Sequence, residues 1–71
     1  MNNHSAKLSA SDRLKRVDDL LASGLEYSTL DIVEKARVVA VNSIIAVLRK
    51  NGRDIRCHRA GSLWFYKRGD L

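Results

Sequence analysis

The sequence predicts a small α+β domain, mainly α, in which a three-helix core is followed by a C-terminal two-stranded β-hairpin. Three observations predict it. Apolar residues recur at helical spacing in three separate stretches, each opened by a capping residue or closed by a breaker. Gly52 ends the last of these stretches. Beyond it, DIRCHR and SLWFYK flank Ala60-Gly61, two β-prone runs about a turn. With 71 residues the chain has room for one small domain. A domain of that size buries only about 60% of its unfolded surface, so a bound partner would add to its stability by mass action.

Residues 1–8 are expected to form a disordered arm, residues 9–68 the domain, and residues 69–71 a tail. Ser9 and Asp12 have the spacing of a capping box, and Leu14, Val17, Leu20 and Leu21 follow as one apolar stripe. This predicts a first helix over about 10–22, with Asp12 favourably placed on the helix dipole and Gly24 as a C′ stop. Leu25–Tyr27 is short and suits a one-bridge edge strand. Ser28 with Asp31 repeats the capping pattern and opens a second helix over about 29–36, its buried side supplied by Leu30, Ile32 and Val33. Val41, Ile44, Ile45 and Leu48 fall at i, i+3, i+4 and i+7, the inward face of a third helix over about 40–51. Its other side carries Asn42, Ser43, Ala46, Arg49 and Lys50 and no acidic residue, so nothing on it repels phosphate. Only Ala36 to Val39 join the second helix to the third, which is a helix-turn-helix arrangement with Arg37 where a turn glycine is usual.

A two-residue loop at Ala60-Gly61 would pair Cys57 with Trp64 and Ile55 with Tyr66. Ile55, Cys57, Trp64 and Tyr66 then share a face expected to cover the helices, while Arg56, His58, Leu63 and Phe65 share the other. A three- or four-residue loop with a shifted register is the other arrangement the turn allows. The arginines lie at the hairpin's margins and tip, where a ribbon beside a recognition helix would meet a phosphate backbone.

Charge divides the chain. Residues 1–35 hold five cations against six acids, a balance of −1. Residues 36–71 hold eight against two, a balance of +6, and a polyanion is the natural partner of that half. The single cysteine, Cys57, excludes an internal disulfide framework and reads as a small buried apolar residue. His4 and His58 do not stand at ligand spacing to it, so no metal and no cofactor are expected. The opening MNNHSAKLSA has no apolar segment and no run is long enough to span a membrane, so a cytoplasmic protein is expected. Neither a nucleophile–base pair nor a phosphate-cradling glycine loop is present, and adjacent Asp18 and Asp19 diverge by about 100° on a helix. Neither an enzyme nor a small-molecule substrate is expected.

Leu48-Arg49-Lys50-Asn51-Gly52-Arg53-Asp54-Ile55 resembles the L-R-K-x-G-x-x-I junction between recognition helix and wing in small winged helix-turn-helix proteins of bacteria, phages and prophages. The resemblance spans residues 10–68. It implies a winged-helix fold whose third helix enters the major groove of double-stranded DNA and whose wing touches the backbone or minor groove. Carried onto this chain, it implies base contacts from Asn42, Ser43, Ala46 and Lys50. Asn42 is the foremost of these, since its amide can read adenine in a bidentate way. It implies backbone contacts from Arg37, Arg49, Arg53, Arg56, His58, Arg59, Lys67 and Arg68. The expected function is that of a small transcriptional regulator, nucleoid-associated in a bacterial cell, acting as a homodimer or a cooperative assembly on DNA. Val47 and Phe65 are candidate apolar contacts between subunits. An excisionase-like DNA-bending accessory factor and a protein-interaction module with an acidic partner are the alternatives.

Overall fold

The computed structural model describes residues 11–71. The expected arm, residues 1–8, and the expected cap Ser9 lie outside them. Helix α1 (Asp12–Leu21) is started by Ser11, not Ser9: Ser11 is extended and its hydroxyl accepts from the Leu14 amide at 3.4 Å. Leu14, Val17 and Leu21 are its buried face. The chain turns at Gly24, whose φ of +81° any L side chain would resist, two residues past the cap at Ala22. Strand β1 (Tyr27–Ser28) is the short edge strand; it starts two residues later than the predicted Leu25–Tyr27 and ends one later. Helix α2 (Thr29–Ala36) opens on the predicted capping box. Ser28 Oγ accepts from the Asp31 amide at 3.1 Å, and Asp31 Oδ2 accepts from the Ser28 amide at 3.2 Å. Its buried residues are Ile32 and Ala36; Leu30, expected inside, is 60% exposed.

Residues 37–40 connect α2 to helix α3 (Val41–Lys50). Arg37 takes the left-handed conformation expected of the missing turn glycine, with φ 55°, and Ala40 takes it too, with φ 45°. Each costs about 1 kcal/mol in an L residue. Arg16 on α1 offsets this: its Nε donates to the Ala36 carbonyl at 2.8 Å and its Nη2 to the Arg37 carbonyl at 3.3 Å. A cation on those carbonyls also complements the negative end of α2. Val38 is buried between them, and Val41, Ile44, Ile45 and Leu48 form the buried face of α3 as predicted. Gly52, at φ +91°, follows the helix end at Asn51.

Strands β2 (Ile55–Ala60) and β3 (Leu63–Arg68) form the hairpin, and β1 pairs with β3, giving an antiparallel sheet in the order β1-β3-β2. The turn is Gly61-Ser62 rather than Ala60-Gly61. Gly61, at φ +64°, supplies the positive φ that two-residue hairpin turns need at their first position. Cys57 therefore faces Tyr66, and Trp64 faces Arg59. The shift is two residues along the partner strand, so both predicted faces survive, because side chains alternate with period two. Their burial differs from expectation. Ile55 and Tyr66 join the helical core, but Cys57 is exposed and Trp64 is 44% exposed. An open groove separates these two residues from α3, so they face the helix without packing into the core.

Candidate nucleic-acid interface

The exposed side of α3 is built by helical geometry. At 100° per residue, Arg49, Asn42, Ala46, Lys50 and Ser43 follow one another round an arc of about 120°. All five are exposed, and none is acidic. The buried face of the same helix fixes this arc outward. Ala46 lies at its centre, and a methyl side chain there lets another molecule approach the helix backbone closely.

Two clefts flank the arc. On one side Asn42, Ile45 and Arg49 meet Cys57, Trp64 and Tyr66 of the sheet in an open groove of about 320 Å³. The Tyr66 hydroxyl crosses this groove and donates to Asn42 Oδ1 at 3.0 Å. Arg49 is anchored there, donating from Nε and Nη2 to the Ile55 carbonyl at 3.0 and 2.7 Å, with Nη2 also 3.7 Å from Cys57 Sγ. On the other side Ser43 and Val47 meet Ser11, Arg13 and Leu14 of α1 in a smaller cleft of about 100 Å³. Val47, expected as an exposed contact, is half-buried against the core.

The register sorts the hairpin's cations. Arg59 lies on the face that carries Ile55, Trp64 and Tyr66, toward α3, and its Nε donates only to the Gly61 carbonyl at 3.0 Å. Arg56, His58 and Lys67 alternate onto the opposite face. Arg56 pairs there with Asp54 at 3.2 Å. His58 Nε2 lies 3.0 Å from Glu26 Oε1, and its ring stacks on Phe65 with centroids 5.4 Å apart. That stack leaves Phe65 half-buried. At the hairpin's root, Arg53 grips Asp18 of α1 through Nε at 2.8 Å and Nη2 at 3.1 Å. Arg68 reaches the same carboxylate at 3.6 Å and holds Asp70 at 2.7 and 2.8 Å. The hydrogen bond and charge of Asp18 hold Arg53 more firmly protonated than usual, and Asp70 does the same for Arg68. The Arg68 hydrogen bond in turn pulls Asp70 below its ordinary range. Arg37, Lys50, Arg59 and Lys67 take part in none of the ion pairs among the described residues.

The structure thus gathers Asn42, Ser43, Ala46, Arg49 and Lys50 on one surface, with Arg59 beside it and Arg37 at the preceding turn. It sets Arg53 and Arg68 into ion pairs at the root and turns Arg56, His58 and Lys67 away from α3. Arg13, Trp64 and Tyr66 belong to the clefts around the arc, a role not assigned to them from sequence. Arg13 sat in the acidic half of the chain, and the two aromatics read as core. No family model, curated protein or solved structure matches the chain. Among the described residues no helix is long and apolar enough to cross a membrane.

Proposed function

We propose that this protein binds double-stranded DNA sequence-specifically, as a small transcriptional regulator of the winged helix-turn-helix kind. In this reading α3 enters the major groove and the residue 53–68 hairpin lies along the backbone, and the protein works on the nucleoid of a bacterial cell. The observation that carries it is the exposed, acid-free arc of α3, with Lys50 unpaired on it and Arg37 and Arg59 unpaired near it. A phosphate backbone needs such cations, and a major groove needs a helix free to enter it. The order α1-β1-α2-α3-β2-β3 with the sheet order β1-β3-β2 agrees with the same reading. One module makes few contacts, so specificity is supplied by two copies on paired half-sites.

The test is titration against mixed-sequence duplex DNA at several salt concentrations. Binding should weaken steeply with salt, by a log–log slope of about −0.9 per phosphate contacted. Lys50→Ala should weaken it, while an Arg53 substitution should act through stability instead. Salt-independent or absent binding rejects the proposal.

A second reading, a protein-interaction module, has its own observation. Leu63 and Trp64 stand 45% and 44% exposed on opposite faces of the hairpin tip, apolar side chains that suit a protein partner better than phosphate.

A further inference from the structure

An unrestrained asparagine amide suits adenine because it offers an acceptor and a donor side by side. The groove beside α3 alters that offer. Tyr66 is only 5% exposed, and its hydroxyl donates to Asn42 Oδ1 at 3.0 Å, with no other acceptor for that proton among the described residues. Turning the amide over would set Nδ2 against the hydroxyl and leave its proton without a protein partner among the described residues. The favoured orientation therefore has one of the two Oδ1 lone pairs taken and Oδ1 held toward Tyr66. Nδ2 has no protein partner among the described residues, and Asn42 is exposed on the open groove.

We propose that Tyr66 is a positioning residue that fixes Asn42 as a hydrogen-bond donor, so that α3 reads the acceptor edge of guanine, N7 and O6, rather than the mixed edge of adenine. The proposal rests on the DNA-binding reading above. It makes a buried residue of β3 a determinant of what the helix recognises. It also replaces the adenine assignment that the sequence suggests for Asn42.

The experiment is selection of bound sites from randomised duplexes by the wild type, Tyr66→Phe, Asn42→Ala and the double variant. Salt-dependent affinity for mixed-sequence duplex and a urea unfolding curve are measured for each. Tyr66→Phe keeps the buried ring and removes only the donor. The wild type should select guanine at one position of its site, and Asn42→Ala should abolish that selection. Tyr66→Phe should reduce the guanine-over-adenine preference there about tenfold while leaving the salt slope and the other positions unchanged. In the Asn42→Ala background the same change should add nothing, which a merely structural role would not produce. Selection of adenine at the Asn42-dependent position overturns the inference. So does an unchanged profile in Tyr66→Phe, or a uniform loss of affinity without a change of preference; in those cases the DNA-binding reading stands. Absence of salt-dependent binding by the wild type overturns both, and is seen before any selection begins.

Discussion

The root and the tip of the hairpin are made from the same basic, aromatic ribbon, yet they are held in different ways. At the root Ile55 and Tyr66 are 4% and 5% exposed, and Arg53 and Arg68 share Asp18 across to α1. At the tip Arg59, Ala60, Leu63 and Trp64 are all exposed, and the Arg59 guanidinium meets only the backbone of its own turn. A net charge therefore says little about how many charges are free. Arginines at the root hold the ribbon to the helices, and the cations Arg59 at the tip and Lys50 on α3 are left out of the ion pairs among the described residues. Asp18 decides this partition, because it draws two of the basic half's arginines onto the acidic half.

Breaking the root should have the largest effect. Tyr66→Ala removes a buried aromatic and should cost about 3–5 kcal/mol, close to the whole stability of a domain this small, as urea unfolding will measure. Asp18→Ala should cost about 1–2 kcal/mol, since the bidentate bond to Arg53 is charge-assisted but only partly buried. At the tip the balance reverses. Arg59→Ala should change the unfolding free energy by less than about 0.5 kcal/mol and, on the DNA-binding proposal, reduce the magnitude of the salt slope of binding by about one. A large stability loss in that variant would show that tip and root do not differ as described. The smallest effect concerns acid. Arg68 holds the Asp70 carboxyl below its ordinary 3.8, so the folded state gains from this pair above that value and loses the gain as pH falls through the folded pKa. Asp70→Asn should lower stability slightly at neutral pH and flatten its decline below about pH 4, as seen in unfolding curves across pH.

Much of the architecture was legible because it is local. The Ser28–Asp31 box, the α3 stripe and the two hairpin faces depend on residues a few positions apart, and each formed as the pattern predicts. What failed depended on the reach of one element over another. Period two assigns Cys57 and Trp64 to the inner face, but nothing in the strand tells how closely α3 packs against it. Leu30, expected inside, is exposed while Ala36 is buried, because the side of α2 that meets α1 is set by packing, not by residue size. At the candidate site the arc of α3 was readable from helical spacing. The fate of the arginines was not, since Arg53 finds its partner 35 residues away, and Tyr66 finds Asn42 at a separation of 24.

Arg37 and Ala40 are the only non-glycine residues among those described with positive φ, and they bracket the turn that aims α3. That basin belongs by symmetry to the opposite enantiomer. A D-alanine at position 40 would rest there in its own preferred conformation, with the same methyl group and no loss of backbone rigidity. A chain of 71 residues is short enough for chemical synthesis, which makes the substitution practical. The connection before α3 is thus a point where this protein would be better served by the other hand of the amino acid it already has.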